Sequence, residues 1–328
     1  MPNYLDLLPK TFFALAPMDD VTDTVFRQII SSCAKPDLFF TEFVNVDGLQ
    51  SAGRKKLINK LQFTPTEQPL IAQIWGKTPD NFFKTAEQIA NGKLAKELGL
   101  AKEINFAGVD LNMGCPQKNE VISGTCSALI NNRPLAKEII EATKEGLDKK
   151  LPLSIKTRTG FNEVDMSWLE FILKQNINML TIHGRTKKDK SKVPANWGVI
   201  GEARQLRDRI APATLVVGNG DVLTREQGLK LAKEYKLDGI MIGRGVFNDP
   251  YVFAENSPWS TLTPTQKIEL YKKQVNLFTK TWPNTKPIKT LNKFCKIYIN
   301  GFNNAQEVRN KLMKATTTKE LIDLLNHL

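Results

Sequence analysis

The chain has 328 residues, 41% of them hydrophobic and 24% charged. That leaves room for one large domain and a small one around an ordinary globular core, and it excludes collagen-like, coiled-coil and wholly disordered chains. No uncharged apolar run approaches the ~18–20 residues of a membrane span. The apolar stretch Phe12–Met18 is too short for a signal peptide, so a cytoplasmic protein with no membrane attachment is expected. The net charge is +12, and Glu255–Leu328 alone holds 12 basic against 5 acidic residues. A basic tail of this kind predicts a polyanionic partner. The four cysteines (Cys33, Cys115, Cys126, Cys295) form no CxxC pair and only two histidines accompany them. No metal site is expected, and the thiols should be free in a reducing compartment.

Short apolar runs bounded by Gly, Pro or Asn recur eight times: Phe12–Met18, Leu38–Val44, Pro69–Gly76, Gly108–Gly114, Leu151–Gly160, Met179–Arg185, Thr214–Val222 and Gly239–Arg244. Stretches with helical apolar spacing separate them, among them Thr22–Cys33, Pro79–Lys96, Pro134–Lys149, Val164–Gln175 and Thr224–Tyr235. Thr78-Pro79 reads as an N-cap with proline at the first helical position. Eight strand–helix alternations predict a (β/α)8 TIM barrel over residues 1–254. A doubly wound sheet is disfavoured, because the Gly-rich signals fall at the late strands and no GxGxxG follows the first. After Pro258 the pattern turns helical. Thr263-Pro264-Thr265-Gln266 has the form of a capping box, and Ile268, Tyr271, Val275 and Phe278 make an apolar stripe. Further helices are predicted near Lys289–Asn300, Ala305–Ala315 and Thr318–Leu325, so residues 255–328 read as a small basic helical domain.

Polar residues gather at the predicted C-terminal ends of the strands, where barrels build their active sites. The loops after strands seven and eight read Gly218-Asn219-Gly220-Asp221 and Gly243-Arg244-Gly245. Glycines let backbone N–H groups approach an anion, and an arginine adds a fork of donors, so these loops point to a phosphate; each alone could be a tight βα turn. Lys156 sits inside an apolar strand, where an ammonium is costly unless an anion meets it. The anionic edge of a reduced flavin would serve, and so would a carboxylate such as Asp110. Gln73 offers a donor and an acceptor that match a flavin's pyrimidine edge, or that satisfy a loop. The Pro17-Met18 turn could lie under the ring. His183 ends strand six and reads as a cofactor contact more readily than as a proton carrier. Cys115, between Gly114 and Pro116, is either placed for chemistry or is a small buried residue.

At these residues the sequence resembles the tRNA-dihydrouridine synthases. The motifs are Ala16-Pro17-Met18-Asp19-Asp20-Val21-Thr22-Asp23, Val109-Asp110-Leu111-Asn112-Met113-Gly114-Cys115-Pro116, Lys156-Thr157-Arg158-Thr159-Gly160, His183-Gly184-Arg185-Thr186, Asn219-Gly220-Asp221 and Gly243-Arg244. Thr41-Glu42-Phe43-Val44 and the basic tail are most similar to the bacterial C subgroup, which acts on U16 of the tRNA D-loop. The resemblance implies FMN at the top of the barrel, contacted by Pro17, Met18, Asp19, Gln73, Lys156, His183, Asn219, Gly220, Asp221, Gly243 and Arg244. It implies NADPH as reductant, Cys115 as general acid and tRNA as the partner of a monomer. One departure stands out: Gly124-Thr125-Cys126-Ser127-Ala128 puts Cys126 where the family pattern leads one to expect glycine.

The implied reaction reduces the uracil C5–C6 double bond, with hydride from reduced FMN N5 to C6 and a proton from Cys115 to C5. A thiol with an ordinary pKa of about 8.5 is mostly protonated near neutrality, as an acid must be. The tail would grip phosphates through Lys289, Lys293 and Lys296, which spacings of 4 and 3 place on one helix face. Two rivals remain at this level. One is a dihydroorotate dehydrogenase-like flavin barrel acting on a free pyrimidine, which has no need of a basic tail. The other is a non-enzymatic RNA-binding barrel, which would be colourless.

Overall fold

The computed structural model describes residues 4–283 and 285–328. Its strands are β1 (Phe12–Leu15), β2 (Phe39–Phe40), β3 (Val44–Asn45), β4 (Leu70–Trp75), β5 (Gly108–Met113), β6 (Leu153–Arg158), β7 (Met179–His183), β8 (Leu215–Asn219) and β9 (Gly239–Ile242). They pair in parallel in the order β1-β9-β8-β7-β6-β5-β4-β2, with β3 also on β4. A bridge between Ala14 and Leu38 joins β1 to the chain just before β2, so the sheet closes on itself. This is the expected (β/α)8 barrel.

The second barrel position differs from the single strand predicted over Leu38–Val44. Phe40 pairs with Ile71 and Val44 with Ile74, so four steps on one strand face three on the other. The extra residue lies in Thr41–Phe43, a bulge in the sense of a local unpaired insertion. Thr41 repairs the broken ladder, its hydroxyl accepting from the Gln73 amide at 3.0 Å. The bulge frees Glu42 to turn back and accept from the Asp20 amide at 2.7 Å.

Alternation along the strands builds two cores. Phe13, Leu15, Leu70, Ala72, Ile74, Val109, Leu111, Ile155, Leu180, Ile182, Val216, Ile240 and Ile242 face the surrounding helices. Phe12, Ala14, Leu38, Phe40, Ile71, Met179, Val217 and Met241 fill the barrel itself. Caps end the loops and start the helices. Asp23 accepts from Phe26 N at 3.0 Å, Asp165 from Trp168 N at 3.0 Å, Asn196 from Val199 N at 3.2 Å and Thr224 from Gln227 N at 3.1 Å. The helix predicted over Pro79–Lys96 is two, Pro79–Ala90 and Lys93–Glu97, parted at Gly92 with φ +73°.

Beyond β9 the longer elements are helices: Pro264–Thr281, Asn292–Tyr298, Ala305–Leu312 and Thr318–Asn326. The Thr263/Gln266 capping box forms, and Ile268, Tyr271, Val275 and Phe278 are buried. The helix predicted from Lys289 begins later. Lys289 lies in a 3₁₀ turn, Ile288–Leu291, whose tighter winding takes it off the stripe of Lys293 and Lys296. All three lysines are exposed. The helical part seats on the loop and helix after β1. Asp23 accepts from Trp282 Nε1 at 3.0 Å and Lys286 Nζ at 2.9 Å. Phe26 stacks on Phe294 at 4.9 Å, and Lys293 donates to the Asp20 carbonyl at 2.7 Å.

Candidate active site

The tips of β1, β6, β7, β8 and β9 surround a cleft of about 650 Å³. Of the eleven residues expected at a cofactor, nine line it: Pro17, Met18, Lys156, His183, Asn219, Gly220, Asp221, Gly243 and Arg244. Asp19 and Gln73 do not. Asp19 is exposed and ion-pairs with Lys60. Gln73 is fully buried: its amide donates to Asp110 Oδ2 at 2.7 Å and accepts from Asn112 Nδ2 at 3.2 Å. Arg185 lines the cleft as well, although sequence reasoning did not single it out. The signal for it is its position, two residues past His183 on the same strand tip.

Backbone conformation shapes the late loops. Gly220 has φ +133° and Asp221 φ +57°. A Cβ on Gly220 would come within 2.6 Å of the Ala195 Cβ, so only glycine fits. Asn219 Nδ2 donates to the Met241 carbonyl at 2.8 Å, tying β8 to β9 at the cleft floor. Asp221 accepts from Arg185, from Arg244 at 3.3 Å and from the Ala195 amide at 2.9 Å. Burial pushes the Asp221 carboxyl up, but these hydrogen bonds and charges outweigh it and hold the group below its usual range.

The cleft is cationic. Burial, then Arg158, pushes the Lys156 ammonium down to about 8, with Asp110 and Cys115 opposing. Among the described residues no hydrogen bond or ion pair to its Nζ is found; the postulated Asp110 contact is a longer-range attraction. Asp110 is instead held by Ser154 Oγ at 2.6 Å and by Gln73, and burial pushes it up to about 6. His183 Nε2 lies 3.1 Å from Arg185 Nη1. A guanidinium has only donors, so Nε2 accepts and Nδ1 carries the ring proton. Burial, then Lys156, Arg158, Arg185 and Arg244, drives the imidazole far below its usual range. His183 is therefore neutral, a fixed acceptor–donor and not an acid. A lysine without a counter-ion, two arginines and glycine-shaped loops fit a phosphate-bearing anionic cofactor.

Cys115 follows β5 at the edge of this region and is half-buried. Gly114 lets the strand end approach β6: a Cβ there would lie 3.2 Å from the Thr157 backbone. Asn112 Oδ1 accepts from both Gly114 N at 3.1 Å and Cys115 N at 2.9 Å, and Arg158 Nε donates to the Gly114 carbonyl at 2.8 Å. Asn112 and Arg158 thus fix the cysteine's backbone, a role the sequence motif contained but did not disclose. The Cys115 thiol departs from the ordinary value expected of it. A hydrogen bond from Cys126 is the leading influence and brings it below the usual thiol range despite burial.

A parallel eight-stranded barrel with a cationic cleft and a thiol at its strand tips is the architecture of the (β/α)8 enzymes, which build their sites at the C-terminal face. Residues 14–328 match the family model described as Dihydrouridine synthase (Dus). The chain is 43% identical over 328 residues to "Probable tRNA-dihydrouridine synthase 2" of Bacillus subtilis (strain 168), covering 99% of this chain and 96% of that one. It is 42% identical to "Probable tRNA-dihydrouridine synthase" of Staphylococcus aureus (strain COL), covering 99% and 95%. Among solved structures, histamine dehydrogenase from Rhizobium sp. 4-9 superposes with a TM-score of 0.50 at 12% identity over 81% of this chain and 48% of that one, a likeness of fold alone. The chain belongs to the dihydrouridine synthase family, whose members are flavin-dependent oxidoreductases acting on tRNA. No helix among the described residues is long and apolar enough to cross a membrane.

Proposed function

We propose that this protein reduces the C5–C6 double bond of one uridine in tRNA to dihydrouridine, with FMN in the cleft and NADPH as reductant. The observation that carries the reading is the conjunction of a cationic cleft, whose Lys156 has no paired carboxylate among the described residues, with a thiol on the neighbouring strand tip. Arg244, Lys156 and the Gly220–Asp221 and Gly243 loops would hold the phosphate and the anionic ring edge. Neutral His183, its Nε2 occupied by Arg185, would present Nδ1–H as a donor. Pro17 and Met18 supply apolar surface. When bound, the flavin supplies the hydride for C6.

Cys115 holds the proton for C5 at Sγ. Asn112 and Arg158 keep its backbone in place, so the thiol need not be ordered during the reaction. Its lowered pKa makes it a stronger acid, with a smaller protonated fraction at alkaline pH. The uridine must leave its stack to reach the cleft, and exposed Lys289, Lys293 and Lys296 on the helical part would take the phosphates. We assign residues 1–254 to catalysis and 255–328 to tRNA binding, in a cytoplasmic monomer that needs no protein partner, and favour U16 of the D-loop as target.

Mapping dihydrouridine in tRNA from cells with and without the gene tests this directly. Loss of one D-loop dihydrouridine is expected. An unchanged tRNA, together with turnover of a free pyrimidine, would favour the dihydroorotate dehydrogenase-like rival, and a colourless protein would favour the RNA-binding one.

A further inference from the structure

Cys126 is fully buried, yet its backbone has φ +53°, a left-handed conformation that favours glycine. A side chain is kept where its Cβ is a liability, and strain of this kind marks positions whose side chain has a use. The loop around it is pinned at both ends. Thr125 donates to the Glu120 carbonyl through its amide at 3.0 Å and its hydroxyl at 2.8 Å, and Ser127 N donates to the Cys115 carbonyl at 3.3 Å. These ties set the Cys126 thiol beside the Cys115 sulfur, near enough for the two to share a hydrogen bond. Among the described residues no other thiol meets Cys115.

We propose that Cys126 is a positioning residue for the proton donor: its S–H holds the Cys115 sulfur in place and stabilises the charge left there once the proton has gone. In the step, the Cys115 S–H bond breaks and the uracil C5–H bond forms. The electron pair stays on the Cys115 sulfur, and the Cys126 S–H bond remains intact. Solvent at the half-exposed Cys115 then restores its proton. The asymmetry is built in: Cys115 is drawn below the usual thiol range, whereas its hydrogen bond and burial push Cys126 well above it. Cys126 therefore stays a donor while Cys115 ionises. The other charges facing Cys115 are Glu120 from the loop helix, Asp19 from the loop after β1, and Lys156 and Arg158 from β6. The two carboxylates raise its pKa, and the two cations oppose them.

This inference rests on Cys115 as proton donor, and its test does not require turnover. The full-length protein and its Cys126→Gly, Cys126→Ala and Cys126→Ser variants are alkylated with iodoacetamide across a pH series. The rate is followed at the Cys115 peptide by mass spectrometry. Cys126→Gly relieves the backbone strain, so a folding failure is not built into the experiment, and FMN binding is measured in every variant. In the Gly and Ala variants the alkylation midpoint is expected to rise by about one pH unit, a roughly tenfold loss of thiolate near neutrality. With tRNA, kcat should fall about threefold at unchanged KM, as for an acid one unit weaker. Cys126→Ser, which keeps a donor, should bring the midpoint back toward that of the unsubstituted protein. Identical alkylation profiles in all four proteins would overturn the proposal. So would a loss of FMN affinity shared by the Gly and Ser variants, which would mark the change as structural. A shifted midpoint in a protein that reduces no tRNA would overturn the proposed reaction and leave the thiol pair standing.

Discussion

The two halves of the barrel interior are built differently. Around β8, β9, β1 and β2 the inward side chains are Val217, Met241, Phe12, Ala14 and Phe40. Around β4, β5 and β6 they are Ile71 and, above it, the polar Gln73, Asp110, Asn112, Ser154 and Lys156, the first four of these polar groups joined by hydrogen bonds from 2.6 to 3.2 Å. The apolar half gains stability from burial alone. In the polar half each group must find a partner, because an unpaired buried donor or acceptor costs ~1–3 kcal/mol. The lesson is a division of labour: one wall is filler that closes the cylinder, and the other is a polarised wall that ends in Lys156 and Cys115. The apolar wall meets the chemistry through its loops instead: Pro17 and Met18 follow β1, Gly220 and Asp221 follow β8, and Gly243 and Arg244 follow β9.

That division is open to attack, and the sharpest blow is at Cys115. Cys115→Ala should preserve flavin reduction by NADPH and lower dihydrouridine formation by about 10²–10⁴-fold, the usual weight of a general acid. Full product yield would remove the chemistry from this wall. Next comes the contrast between the halves. Phe12→Ala, on the filler side, should lower unfolding free energy by about 3–5 kcal/mol in a denaturant titration. FMN affinity of the folded fraction should stay unchanged. Lys156→Met should weaken FMN binding about tenfold or more, corresponding to removal of a charge-assisted hydrogen bond of ~1.5–3 kcal/mol. If the Phe12 variant also released FMN, the halves would not be separable.

A third test uses pH. Asp110 is pushed up to about 6, so the folded protein binds a proton there that the unfolded chain releases at lower pH. Its contribution is most favourable below the unfolded carboxyl value and is lost as pH rises through about 6. Asp110→Asn should therefore flatten the fall in stability between about pH 4 and 6, by up to about 3 kcal/mol. Thermal melts at closely spaced pH values read this out. Lys156 has the opposite sense. Its folded value of about 8 lies below that of a free lysine, so its penalty applies below pH 8 and fades above it. The smallest expected effect lies outside the barrel. Charge reversal at Lys289, Lys293 and Lys296 should raise the tRNA KM and reduce the salt slope of binding by about 1 for each phosphate no longer neutralised, with NADPH oxidation intact.

Much of this molecule is written locally. The β/α rhythm, the helix start at Thr78-Pro79 and the Thr263/Gln266 box follow from neighbours within four residues, so spacing alone exposes them, although the Thr78 side chain makes no cap hydrogen bond. The strand-tip positions of Lys156, His183, Asn219 and Arg244 follow from the same rhythm, since every run ends on the same face. Gln73 shows the limit. Its residue type suited a cofactor edge, yet Asp110 and Asn112 hold it, 37 and 39 positions along the chain.

By itself, then, the order of amino acids determined the cylinder, its orientation and the roster of polar groups at its mouth, because these are set by periodicity and by residues a few places apart. Which of those groups remain free for a ligand was decided only when the strands closed. The pairing of Arg185 with Asp221, the bulge that turns Glu42, and the meeting of the Cys115 and Cys126 sulfurs depend on register, strand curvature and loop closure. Those are properties of the closed barrel that no local run of side chains encodes.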